Sequence, residues 1–300
     1  MRAIVTGANG FVGRHLCDHL RSCGDDVVAV DRDCNVTVEG RVERALREYE
    51  PEAIYHLAAM THVGESWNNR IEFVRVNVFG TRNVLEAAHK VVPASPVLVV
   101  SSAEVYGIVN EDELPLRETH PTVPANPYAQ SKLQAELVAI GVASETSQRV
   151  VIVRPFNHVG PGQSTAFVLP GLISRLLDAR ERGLHEISVG DLSTRRDFSD
   201  VRDVVRAYRF LMEQGRSGEI YNVASGHDVA LLDLANDLVE RIAPDVKLVP
   251  DVALIRPVEV PVMRGSYQKL HEATGWEPQI ALATSLEDVI EDLRARSGER

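Results

Sequence analysis

The sequence predicts an α/β fold, a doubly wound parallel sheet with a smaller, interleaved α/β domain on its C-terminal side. Three observations carry this. Short strands alternate with amphipathic helices through the first half of the chain. The strands at 3–6, 26–30 and 97–100 are near-continuous apolar runs, the pattern of strands covered on both faces. The first of them enters Gly7-Ala8-Asn9-Gly10-Phe11-Val12-Gly13 and then a helix, the context of a dinucleotide-binding turn.

Composition narrows the function classes. The 300 residues carry 32 basic and 43 acidic side chains, a net charge of −11. No basic excess exists to neutralise phosphates, which argues against a nucleic-acid partner. Hydrophobic content of 44% and charged content of 25% fit a globular chain. No apolar run approaches a membrane span, and the first residues read as a strand, not a signal peptide. Cys17, Cys23 and Cys34 are odd in number and lack metal-ligand spacing, so reduced thiols in a cytoplasmic protein and no metal site are expected.

The elements follow in order. After the first strand, Gly7 permits a tight turn, Gly10 lets backbone approach a pyrophosphate, and Gly13 lets helix and strand pack closely. The helix, with Phe11, Val12, Leu16 and Leu20 on one side, offers its N-terminus to phosphate. The strand at 26–30 ends at Asp31, eighteen residues past Gly13, where an acid would hold a ribose 2′-hydroxyl. Asp31 can also be only a turn acid. Arg32 can pack over an adenine or meet a 2′-phosphate. A helix at 42–49 leads to a strand at 53–59, whose Ala58 and Ala59 leave room for a cofactor; His62 beyond it reads as a surface residue. An amphipathic helix at 73–89 precedes the strand at 97–100, which ends in Ser101-Ser102-Ala103-Glu104-Val105-Tyr106-Gly107. In parallel sheets the site lies at the carboxyl ends of the strands. The glycine loop, Asp31, Ala58 and Ser101 to Glu104 all fall there.

Pro127 suits the first position of a helix running to about residue 144. Tyr128 and Lys132 lie four apart on one face of it. An ammonium beside a phenol lowers the phenol pKa, and such a phenol exchanges protons near neutral pH. An ordinary surface Tyr and Lys is the plain alternative. A strand at 149–155 then delivers 156–163 to the same sheet edge. Beyond it come a helix at 167–182, a short strand at 187–189, a charged stretch at 194–203 and a helix to 214. A strand at 219–223, a helix at 229–242, a strand at 246–249, a rigid loop at 256–261 and a last helix at 286–294 complete the chain.

GxxGxxG, Asp31, Ser101-Ser102-x-Glu104-Val105-Tyr106-Gly107, Tyr128-x-x-x-Lys132, Arg154-Pro155-Phe156-Asn157 and Arg196-Asp197-Phe198 occur in that order. The set resembles the extended short-chain dehydrogenases of the NAD-dependent epimerase/dehydratase family, which act on nucleotide sugars. The resemblance implies a Rossmann NAD(P)-binding domain at 1–160 and a nucleotide-sugar-binding domain at 161–300, with parts near 195–225 returning to the first. It implies that Ser102 bonds the sugar O4, that Tyr128 donates its proton, and that Lys132 binds the nicotinamide ribose. Glu104 joins this catalytic set. Cofactor contacts are expected from Gly7, Gly10, Phe11, Val12, Gly13, Asp31, Arg32, Asn35, Val36, Leu57, Ala58, Ala59, Tyr128 and Lys132. Substrate contacts are expected from Ser102, Asn157, Val168, Arg196 and Arg256, the two arginines meeting the diphosphate. His158 reads as less functional than these.

Asn157-His158-Val159-Gly160-Pro161-Gly162-Gln163, Phe167-Val168-Leu169-Pro170 and Arg256-Pro257-Val258-Glu259-Val260-Pro261 look most like the reducing members. The implied reaction is NAD(P)H-dependent reduction of the C4 ketone of a nucleotide-linked 4-keto-6-deoxyhexose, GDP-4-keto-6-deoxy-D-mannose giving GDP-D-rhamnose. Asp31 implies a bias toward NAD(H). A 4,6-dehydratase of the GDP-mannose type or a 4-epimerase, each with tightly bound NAD(P), is the alternative, and a non-catalytic NAD(P)-binding protein a further one. Ala103 stands where dTDP-glucose-type dehydratases carry an Asp, while Glu104 is retained. A homodimer without membrane attachment is expected.

Overall fold

The structure is a computed structural model describing residues 1–38, 40–254 and 258–298. Strands follow as β1 (Arg2–Thr6), β2 (Asp26–Val30), β3 (Ala53–His56), β4 (Val97–Val100), β5 (Val150–Pro155) and β6 (Asn157–Val159). The rest are β7 (Glu186–Val189), β8 (Arg195–Asp200), β9 (Ile220–Val223), β10 (Asp228–Ala230), β11 (Lys247–Pro250) and β12 (Val262–Met263). Among the described residues a six-stranded parallel sheet has the order β2-β1-β3-β4-β5-β9. The doubly wound sheet is thus as the sequence predicts. β2 and β3 flank β1 on opposite sides, so the order reverses there, where such sheets open a crevice.

Both faces are covered. Helices Phe11–Ser22 and Val201–Gln214 bury Leu16, Leu20, Val204, Tyr208 and Leu211 against one face. Helices Arg41–Tyr49, Gly80–Val91 and Pro127–Glu145 bury Leu46, Val84, Leu85 and Ala139 against the other. A further apolar cluster joins helices Val168–Arg182, Leu231–Ile242 and Leu282–Ser297 to β6, β7 and β8. β8 pairs with β6, β10 and β12 outside the main sheet, whereas β9, next in the chain, pairs with β5 inside it.

Several local expectations change. The helix expected at 73–89 begins at Arg70 and contains a π-helical stretch, Val74–Phe79, before continuing as Gly80–Val91. The charged stretch at 194–203 contains the buried strand β8. Its acids find partners inside: Asp197 accepts from the backbone N–H groups of Ser225, Gly226 and Gly265, and Asp200 from Ser285 and Arg202. The helix expected from 229 opens as β10 and starts at Leu231. The last helix is longer than 286–294, running Leu282–Ser297.

Candidate active site

One cleft of about 1520 Å³ runs along the carboxyl ends of the strands, from Asp31 past Ser102 and Tyr128 to Val168. At its glycine end Gly7 has φ +70°, and a Cβ there would lie 2.8 Å from the Ala58 backbone nitrogen. A Cβ on Gly13 would lie 2.2 Å from the Gly7 carbonyl oxygen. Two strand ends and a helix therefore meet at distances that only glycine allows. Gly10 is the extended N-cap without a side-chain cap, which leaves the first N–H groups of the helix for an anion. This cradle fits a dinucleotide pyrophosphate. Asp31 accepts from the Asn9 N–H at 2.9 Å, which ties the end of β2 to the glycine loop.

Below the loop a buried chain of hydrogen bonds fixes the histidine of β3. The Thr81 hydroxyl donates to the Asn77 carbonyl, so it accepts from His56 Nε2 at 3.1 Å. His56 Nδ1 then accepts from the Thr6 hydroxyl at 2.9 Å, and Thr6 accepts from the Ala58 N–H. Burial, with the Lys132 charge adding to it, pushes the His56 pKa down to about 3, so the ring is neutral.

The catalytic end is built on helix Pro127–Glu145. Asn126 is its N-cap, accepting from the Ala129 N–H at 2.8 Å, and Pro127 takes the first position. Tyr128 and Lys132 are both buried. Their electrostatics correct the sequence expectation. Lys132 Nζ donates to the Val100 carbonyl at 2.7 Å, at the end of β4. Burial lowers the Lys132 pKa to about 8, opposed by Glu136. The Tyr128 pKa is raised, not lowered, to about 12: burial dominates, Ser102 opposes it, and the Glu104 charge adds to it. Phe73 packs edge-on against Tyr128 at 6.3 Å.

Two buried polar residues, Glu136 and Asn77, escape sequence reading. Glu136 accepts from Arg154 at 2.9 and 2.7 Å and from the Ser101 hydroxyl, and Arg154 lies 4.9 Å over the Tyr106 ring. Asn77 donates to the Met60 carbonyl at 3.0 Å and to Ser131 at 2.9 Å, joining the loop after β3 to the catalytic helix. A polar residue on the apolar face of the helix expected at 73–89 was the available signal for Asn77. For Glu136, its place four residues past Lys132 was the signal.

All expected cofactor residues line the cleft: Gly7, Gly10, Phe11, Val12, Gly13, Asp31, Arg32, Asn35, Val36, Leu57, Ala58 and Ala59. So do Ser102, Glu104, Asn157 and Val168. Arg196 is not among the lining residues; it is buried on β8, 3.6 Å from Glu259. Arg256 lies outside the described residues. His158 stacks on Phe11 at 6.1 Å, and its Nδ1 carries the proton to the Phe156 carbonyl at 3.0 Å; burial lowers its pKa. The loop after β6 is pinned to the glycine-loop helix, with His15 Nε2 2.7 Å from the Pro161 carbonyl and Arg14 donating to that of Gly162. Ala103 is fully buried beside Ser102, and Glu104 accepts from Asn126 Nδ2 at 2.9 Å. Among the described residues no group of three or more His, Cys, Asp or Glu is placed to hold a metal ion.

The chain is similar to known proteins along its whole length. It is 35% identical to GDP-6-deoxy-D-mannose reductase of Pseudomonas aeruginosa, covering 98% of both chains. It is 31% identical to human dTDP-D-glucose 4,6-dehydratase, covering 97% of this chain and 89% of that one. The solved structure of RMD from Pseudomonas aeruginosa complexed with NADPH superposes with a TM-score of 0.88 at 33% identity, over 99% of this chain and 100% of that one. A UDP-glucose 4-epimerase of Thermotoga maritima, solved with UDP-glucose, gives 0.91 at 27% identity, over 99% and 100%. Residues 3–224 match the NAD dependent epimerase/dehydratase family, and the chain belongs to that family.

Proposed function

We propose that this protein is an NAD(P)H-dependent reductase of a nucleotide-linked 4-keto-6-deoxyhexose, converting GDP-4-keto-6-deoxy-D-mannose to GDP-D-rhamnose. The observation that carries the reading is that Ser102, Tyr128 and Lys132 meet in the cleft at the carboxyl ends of the strands, where a phenol can donate its proton to a developing alkoxide. Burial raises the Tyr128 pKa, which keeps that proton on at neutral pH. The reductase of Pseudomonas aeruginosa, alike over nearly the whole chain, supports the same reading.

The reduced nicotinamide, when bound, supplies the hydride. Tyr128 gives its proton to O4, and Ser102 hydrogen-bonds that oxygen and orients the ketone. Lys132, held at the end of β4, is assigned to the cofactor ribose. Asn157 and Val168, which line the cleft, are assigned to the sugar nucleotide. Residues 1–160 and 161–300 serve as cofactor and substrate domains, with about 195–225 crossing between them.

The test is incubation with GDP-4-keto-6-deoxy-D-mannose and NADH or NADPH, with the product identified by NMR. The expected result is stoichiometric cofactor consumption and a 6-deoxy product reduced at C4. Glu104 in the cleft favours the dehydratase as second reading. Release of a 4-keto-6-deoxy product from GDP-mannose at a comparable rate would establish it and move a base role to Glu104. Asp31 is assigned a bias toward NAD(H), because its carboxylate accepts from a 2′-hydroxyl and repels a 2′-phosphate. A parent enzyme preferring NADPH by about tenfold in kcat/KM would overturn that assignment.

We also place the protein in the cytoplasm, consistent with three free cysteines. We assign it a homodimer through adjacent helices on which Ile71, Phe79, Leu137 and Ile140 are exposed. Sedimentation of Leu137→Glu should report a monomer if that face is the interface.

A further inference from the structure

We infer that Asn126 and Glu104 form a positioning pair that sets Tyr128 against Ser102. The inference rests on the proposed Ser102–Tyr128 relay and deepens it. Ser102 and Tyr128 sit on different carriers. Ser102 opens the 3₁₀ turn Ala103–Tyr106, where its Oγ accepts from the Glu104 N–H at 3.2 Å. Tyr128 is in the first turn of helix Pro127–Glu145. Between the carriers the chain makes a long excursion, drawn together at its neck by a bridge between Gly107 and Val123.

Asn126 spans the two carriers with one amide. Its Oδ1 accepts from the Ala129 N–H, and its Nδ2 donates to Glu104 Oε2 at 2.9 Å. The orientation is forced, because Ala129 N–H only donates and a carboxylate only accepts. Asn126 is buried, while Glu104 is half-buried and lines the cleft. Ser or Asp can cap a helix as well as Asn, but ionised Asp has no proton to give Glu104. Asn at this position therefore does more than cap: it locks the start of the Tyr128 helix to the turn that carries Ser102.

A donor–acceptor swap tests this, measured in whichever of the two reactions the parent catalyses, so that failure of the reductase reading is seen separately in the parent. Asn126→Asp leaves two facing carboxylates. It should lower kcat about 10- to 100-fold with KM nearly constant, the scale of a small misplacement at a reacting centre. Its residual rate should rise as pH falls, because a shared proton restores the missing donor. Adding Glu104→Gln to Asn126→Asp puts the donor on residue 104 and the acceptor on residue 126. The double variant should recover at least tenfold, and the cycle with Glu104→Gln alone gives the coupling. Asn126→Ser keeps the cap and loses the amide donor; it should keep its Tm and still lose about tenfold in kcat. A double variant as slow as Asn126→Asp, or Asn126→Ser at the parent rate, overturns the inference. The first outcome would return Glu104 to acid–base chemistry, and the second would leave Asn126 a cap alone.

Discussion

The dinucleotide end of the cleft is shaped by side chains that are missing, and the catalytic end by buried polar side chains with distant partners. Gly7 and Gly13 bring backbone segments together at distances that a single Cβ would violate. At the other end Glu136 and Arg154 meet across 18 residues and Asn77 and Ser131 across 54. The first device is carried by glycines within one seven-residue stretch, although Gly7 meets Ala58 just past the next strand of the sheet. The second depends on every partner being present, since a buried polar group left alone costs about 1–3 kcal/mol, and a charge more.

The largest effect should come from the proton donor itself. Tyr128→Phe should lower kcat by roughly 10²–10⁴ and leave cofactor binding at the glycine end unchanged, as fluorescence titration would show. A variant within about threefold of the parent would remove Tyr128 from the relay. Next, Glu136→Ala should destabilise the fold by about 3–5 kcal/mol in urea, because it strands Arg154 in the interior. Replacing both by apolar residues, as Glu136→Leu with Arg154→Met, should recover much of that stability. If it does not, the pair is needed for more than mutual neutralisation, and the contrast between the two ends sharpens.

The smallest effect is one of pH. His56 has a folded pKa near 3 against an ordinary value near 6.5, so the unfolded chain binds the extra proton between those limits. Its contribution is complete above 6.5 and is lost as pH falls, about 2 kcal/mol between pH 7 and pH 5. His56→Gln should flatten that limb of the stability curve. An unchanged limb would mean that other groups set the acid lability.

The same contrast explains what the sequence reveals. The positions of the main-sheet strands, the glycine turn, Asp31 at a strand end and the Tyr128–Lys132 spacing are short-range patterns, and each is legible. β8 is not, because Arg195-Arg196-Asp197-Phe198-Ser199-Asp200 reads as solvated charge. It is buried only because Asp197 is met by Ser225, Gly226 and Gly265, which no periodicity announces. The direction of the Tyr128 pKa was misread for a related reason. Spacing puts Lys132 on the same helix face as the phenol, but burial of the phenol by the whole fold, with the Glu104 charge adding to it, sets the direction.

The π-helical stretch Val74–Phe79 has a consequence for chain length. One residue of an α-helix turns the axis by about 100°, so the wider turn acts as a phase shifter between the two arms of the helix. Ahead of it, Phe73 addresses Tyr128; behind it, Thr81 addresses His56 and Val84 the sheet. Deleting one residue within the stretch would yield a regular helix that can serve only one of those surfaces. Substitutions there are read one at a time, but a single-codon deletion is read by the whole helix as a rotation, and the active site is what goes out of phase.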